Sequence, residues 1–298
     1  MFGRLRLKPK LTLVFLGVAL GPLILLSWIS YDRARDALST AGAQSESALE
    51  SAAFAQLEAV AKNKAASIER YFQGIEDQVL TFSEDRMIVD AMREFRAAFA
   101  AYPAESGSGS EVASLRRELG GYYGTEFSAE YRRQNDGRDP GEGGLLARLD
   151  AEGVLLQHAY VQANPHPLGS KHLLDRAAGP AAYHRLHETY HPVVRSYLEK
   201  FGYYDIFLVD PVSGDIVYSV FKELDYATSL VNGPFADSGI GQAFALAKDL
   251  PSGEIVIIDF QSYTPSYGDP TAFLATPIIE NEATTGVLIF KISIEGIN

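Results

Sequence analysis

Three histidines are the first residues whose spacing suggests chemistry: His184, His187 and His191, in the pattern H-x-x-H-x-x-x-H. Positions i, i+3 and i+7 of a helix share one face, so three imidazoles there can converge on zinc, copper or haem iron. Pro192 follows directly and predicts a kink or break near Tyr190, and no nearby Glu completes the H-E-x-x-H pattern of metalloproteases. Histidines in such a row also cap, pack and bond locally, and that is the plainer reading. A second group gathers at the ends of two predicted strands. Lys222, Asp225, Tyr226, Thr228 and Ser229 follow one; Asp259, Tyr263, Ser266 and Tyr267 follow the other; Tyr218 adds a phenol from within its strand. Aromatic rings with a few fixed polar groups at strand ends are the composition of a small-molecule pocket. A charge buried there must be paired, which casts Asp259 as the partner of a cationic group and Lys222 as the partner of an anionic one.

Nothing comparable supports catalysis. The chain has no G-x-S-x-G elbow, P-loop or dinucleotide fingerprint, and Glu223, Asp225 and Asp259 show no spacing that an acid–base pair requires. The absence of cysteine removes disulfides, iron–sulfur ligation and thiol catalysis. A formal charge of −12 argues against nucleic acid, whose phosphates it would repel. The expectation is a binding protein without a cofactor, not an enzyme.

The elements that must position these residues are legible in outline. Segments 204–210, 216–221, 254–260, 272–280 and 286–294 are rich in Val, Ile, Phe and Tyr and are bounded by turn residues. The turn Pro211–Asp215 carries Pro to pre-set φ and Gly214 to take positive φ. A short helix, Gly239–Asp249, interrupts the strands. Helical composition precedes them at Glu111–Gln134 and at Pro180–Phe201; Leu145–Ala163 reads as helix, with a short strand at Val154–Val161 the alternative. Helices followed by five strands with hairpin-length links predict an α+β class with an antiparallel sheet. The pocket is expected between that sheet and the loops Lys222–Leu230 and Asp259–Pro270.

The N-terminus has a different character. Leu11–Tyr31 is a run of 21 residues without a charged side chain, preceded by Arg4, Arg6, Lys8 and Lys10 and closed by Trp28 and Tyr31. About 20 apolar residues span a hydrocarbon core, and a cleaved signal has a shorter apolar region. The run reads as an uncleaved signal anchor with its basic flank in the cytoplasm, so the rest of the chain lies outside the membrane. From Asp32 to Tyr102 no proline intervenes, and Leu49, Ala53, Leu57, Val60, Lys64, Ile68, Tyr71, Ile75, Val79 and Phe82 recur at steps of four and three, with only Lys64 breaking the apolar character. That stripe predicts one long stalk helix packed against a second helix, either of its own domain or of a dimer partner, and a homodimer through it. Pro103–Ser110 and Asn135–Gly144 read as flexible breaks.

Together, the signal anchor, the long helix and the run YHPVVRSYLEKFGYYDIFLVDPVSGDIVYSVFKELDYATSL (190–230) resemble the extracellular sensor region of bacterial transmembrane receptors. More narrowly, the chain is similar to the double Cache (PAS-like) sensors of methyl-accepting chemotaxis proteins. Segments 78–99 and 155–171 carry the likeness as well. The resemblance implies a membrane-distal Cache module that binds the ligand, with residues 1–10 a cytoplasmic flank, 11–31 the transmembrane anchor, 32–102 the stalk helix and 103–298 that module. It implies an inner-membrane protein with its bulk in the periplasm, and a chain that stops before any proximal module, second span or signalling region. In amino-acid-binding relatives a strand aspartate holds the ligand's ammonium while Arg and Tyr hold its carboxylate. Asp259 and Tyr218 occupy suggestive places, and Arg195 is the only nearby arginine. The expected ligand is an amino acid, organic acid or amine. The same region could front a histidine kinase or a cyclase. A periplasmic metalloprotein using the three histidines and a scaffold or adhesion module are the rivals of another class.

Overall fold

The computed structural model describes residues 7–106 and 109–293, in two units divided between Arg70 and Tyr71. Arg4, Arg6 and part of the predicted break Pro103–Ser110 therefore lie outside the described residues, as does position 294 of the last predicted strand.

The first unit is helical. It belongs to α1 (Leu7–Glu84), which is long and apolar enough at its N-terminal end to cross a membrane. The predicted stripe divides. Leu49, Leu57 and Val60 are exposed, whereas Ile75, Val79 and Phe82 are buried in the core of the second unit. The single stalk helix to Tyr102 is corrected here: α1 ends at Glu84, and Asp85 starts a new helix, α2 (Arg86–Ser106). The Asp85 carboxylate accepts a hydrogen bond from Met87 N (2.7 Å), which satisfies one of the amides a new helix leaves open. α2 also runs through Pro103, which was predicted to break the chain.

The second unit is α+β. Helices α3 (Gly109–Tyr122), α4 (Ser128–Gln134), α5 (Glu142–Ala147) and α6 (Ala151–Gln157) follow, with π-helical turns at Tyr123–Phe127 and His158–Gln162. α6 is capped by Asp150, whose carboxylate accepts from Gly153 N (2.7 Å). α7 (Ala182–Phe201) is continuous across Pro192, so the predicted break does not occur; its buried face, from Tyr183 to Leu198, outweighs one missing hydrogen bond.

Strands β1 (Asp205–Val209), β2 (Ile216–Ser219), β3 (Val256–Ser262), β4 (Pro270–Glu280) and β5 (Ala283–Ser293) form one antiparallel sheet in the order β2-β1-β5-β4-β3. Helix α8 (Gly239–Ala247) lies between β2 and β3 in the chain. β1 is buried at every position, as its apolar run predicts. The turn into β2 puts Gly214 at φ +74°, where a Cβ would also stand 2.7 Å from Val231. At Gly286 the requirement is space: α2 approaches so closely that a Cβ would meet Met92 Cγ at 2.4 Å.

Register distributes the side chains between the faces. Phe273, Lys291 and Asp205 are cross-strand partners in one row, and Leu274, Phe290 and Ile206 form the next. Neighbouring rows point to opposite faces. The Phe290 row packs on Phe82, Tyr197 and Tyr203. On the other face Phe273 meets Gly239 of α8 and the ring of Tyr263. That second face carries a lysine and an aspartate in its middle, both fully buried.

Candidate functional site

Lys291 interrupts the apolar strand Val287–Ile292, and its ammonium makes an ion pair with Glu223. The same ammonium lies over the rings of Tyr204 (4.2 Å) and Tyr263 (4.9 Å). Three acids surround it. Glu223 accepts from Tyr204 Oη (2.8 Å); Asp225 accepts from Tyr263 Oη (2.8 Å) on Oδ2. Asp205 Oδ1 accepts from the amides of Ile206, Val220 and Phe221 at 2.7–3.0 Å. Asp205 Oδ2 and Asp225 Oδ1 are buried without a hydrogen-bond partner among the described residues. Burial pushes all three carboxyl groups above their ordinary range, and the Lys291 charge pulls each back.

Beside this cluster lies a cavity of about 130 Å³. It sits between the loop Phe221–Leu224, the helical segment Tyr122–Phe127 and the turns around Lys171 and Tyr267. Pockets for drug-sized ligands measure about 300 Å³ or more, so this space suits one small organic molecule. Its polar lining consists of Lys171, Lys222, Glu223 and the phenols of Tyr122, Tyr204 and Tyr267. Lys171 and Lys222 are both buried, and neither makes an ion pair with a carboxylate among the described residues. Lys171 Nζ donates to Asn164 O (3.0 Å) and lies 5.5 Å from the Tyr122 ring centre. Burial lowers its pKa, against the pull of Glu126.

The predicted site residues separate. Lys222 and Tyr267 line the cavity. Tyr218 and Tyr226 are buried behind it around the Lys222 ammonium, and Tyr263 and Asp225 belong to the Lys291 cluster. Thr228 Oγ1 donates to Asp225 O (2.7 Å) and Ser229 Oγ to Ser213 O (2.9 Å); both hold the loop. Arg195 is elsewhere, bonded to Asp175 (2.6 Å) and His172 O (3.0 Å). Asp259 is exposed on the edge strand β3, where its carboxylate accepts from Phe260 N, so it is not placed to pair with a buried ammonium. Edge-strand alternation turned it outward.

Lys171, Tyr122, Tyr204 and Lys291 escape the sequence reading. Lys291 had a usable signal, a lone lysine inside a run of apolar strand residues, which demands a buried partner. Lys171 had none.

The three histidines are buried on one face of α7, as their spacing predicts, but their bonds diverge. His184 pairs with Tyr160 Oη (3.0 Å) and Tyr102 Oη (3.3 Å). His187 Nδ1 donates to Asp175 O (2.6 Å), and His191 Nε2 donates to His172 O (2.6 Å) while its Nδ1 accepts from Tyr218 Oη (2.8 Å). Carbonyl acceptors fix these two tautomers. His187 and His191 are tied to the segment 172–175 and His184 to Tyr160 and Tyr102, and among the described residues no group of His, Cys, Asp or Glu is arranged to hold a metal. The metalloprotein reading of this row is thereby corrected.

Burial holds the rings neutral, His184 with a pKa lowered to about 4 and His191 to about 2. A pKa depressed by folding gives stability that is complete above the unfolded value, about 6.5, and that drains away as pH falls. Relative to His191→Asn, the parent should therefore lose about 1.4 kcal/mol of advantage per pH unit below about pH 6.5. Urea melts of both proteins across that window check it; a constant difference would mean that His191 titrates alike in both states.

No protein-family model matches the chain, and no curated protein matches its sequence. Among solved structures the chain is similar to the sensor domain of the histidine kinase DctB from V. cholerae, at 17% identity and a TM-score of 0.26. The likeness covers 57% of each chain, so this chain spans less than two thirds of that domain. A likeness of this size argues for neither fold nor function.

Proposed function

We propose that this chain is the periplasmic ligand-sensing region of a membrane-anchored receptor, of the methyl-accepting chemotaxis type that its sequence resembles. Its role is binding, not catalysis. The observation that carries the reading is the small cavity lined by Lys171, a buried cation without a carboxylate partner among the described residues. Glu223, the acid in the lining, is already paired with Lys291. The cation left over is Lys171, so the cavity favours a ligand with a carboxylate or similar anionic group. The N-terminal apolar helix would anchor the module in the inner membrane, and the exposed apolar residues Leu49, Leu57 and Val60 of α1 favour a homodimer.

The test is a thermal-shift screen of the full chain in detergent against organic acids, amino acids and amines. An anionic ligand at 100 times its dissociation constant should add about 2.7 kcal/mol of stability. For that ligand Lys171→Met should weaken binding by about 2 kcal/mol or more, some thirtyfold, and leave the fold intact. A folded Lys171→Met variant that binds as tightly as the parent would place the ligand elsewhere.

A further inference from the structure

Behind the cavity the ammonium of Lys222 is enclosed by aromatic faces. Its Nζ lies 4.9 Å from the ring centre of Tyr218, 5.1 Å from Tyr226 and 5.8 Å from Tyr160. Three rings at such distances form the kind of cage that recognises ammonium ligands through the negative faces of their π-systems. Two carbonyls complete the shell: Nζ donates to Ser219 O and to Val220 O (3.3 Å). We propose that Tyr160, Tyr218 and Tyr226 form a binding site for a primary alkylammonium, and that Lys222 fills it as a tethered occupant.

The cage is set by groups other than the lysine. Tyr226 Oη donates to Tyr183 Oη (2.9 Å), and Tyr183 Oη in turn donates to Val217 O (2.7 Å). Tyr160 Oη pairs with His184 and Tyr218 Oη with His191. Every cage hydroxyl is thus anchored to a neighbour, and the ring faces keep their orientation when the ammonium leaves. The occupant, by contrast, is held under strain. Lys222 has φ +63°, in the left-handed region that is uncommon for any residue but glycine. It is nevertheless buried.

The charged and titratable groups around it are Asp205, which draws the ammonium, Arg195, which repels it, and the rings of His172, His187 and His191. Burial lowers the lysine's pKa and Asp205 opposes that. The site does not depend on whether a ligand enters the neighbouring cavity.

The test is chemical rescue. Lys222→Gly vacates the cage and also removes the strain at positive φ; the atoms lost from Cβ outward are those of n-butylammonium. Lys222→Ala keeps Cβ and leaves room for n-propylammonium. Full-length proteins in detergent are melted with each amine at about pH 6, far below the ordinary lysine range. Lys222→Gly should gain melting temperature saturably with n-butylammonium and Lys222→Ala with n-propylammonium. Each should bind its matched amine about tenfold more tightly than the isosteric alcohol. The parent, its cage filled, should show no saturable shift. If truncation unfolds the chain, refolding from urea reads the same site: matched amine restores the fold and matched alcohol does not. Equal effects of amine and alcohol, or no saturable effect of either, overturn the proposal.

Discussion

Lys291→Met is expected to destabilise the second unit by about 3–5 kcal/mol at neutral pH, as removing one partner of a buried ion pair does. Glu223 would lose its ion pair, and Asp225 and Asp205 the positive charge that opposes their desolvation. The side chain itself packs well as methionine, so the loss is electrostatic. That makes it depend on pH in a defined direction. The three carboxyl groups already titrate above their unfolded values, and without Lys291 they would rise further. A folded-state pKa above the unfolded one gives a contribution that is complete below about pH 4 and lost as pH rises. The deficit of Lys291→Met should therefore be smallest near about pH 4 and grow toward neutrality. Adding Glu223→Gln should recover a large part of it, since the uncompensated charge goes with the carboxylate. Urea unfolding of the parent, the single and the double variants at two pH values measures both. A deficit that ignores pH and the second substitution would mean that the cluster is held by packing.

Val79→Asp should be as damaging, by several kcal/mol, because it buries an unpaired charge at a position that is 0% exposed. Leu57→Asp lies on the same predicted stripe but is 66% exposed, and it should leave the melting temperature of the second unit unchanged. Its effect belongs to self-association: in the proposed dimer it weakens helix pairing, which sedimentation of the detergent-solubilised chain would register. Two equally damaging substitutions would mean that the stripe is one continuous buried face. Two silent ones would mean that Val79 is not in the core.

Local chemistry made much of this molecule legible in advance. A strand with a buried face needs β-branched and aromatic residues between turn formers, and the five such segments are the five strands of the sheet. The apolar run Leu11–Tyr31 is a property of consecutive side chains and needs no fold to be seen. The row of histidines on one face of α7 follows from helical period alone. Periodicity could not say where the long helix stops. The stripe continues through Phe82, and a single aspartate that caps the next helix ends α1 at Glu84.

The candidate site was legible only in part, because what buries a charge is non-local. Lys222 meets Tyr218 and Tyr226, and Asp225 meets Tyr263, through loops and strand register, and Lys291 reaches Glu223 across 68 positions of sequence. Asp259 looks in the sequence like Asp225, an acid beside a strand. One is exposed on the edge strand and the other is buried beside Lys291. Composition determined that acids, lysines and tyrosines were available at strand ends. Only the tertiary structure decided which of them share a low-dielectric interior, because desolvation and pairing depend on which distant segments close over them.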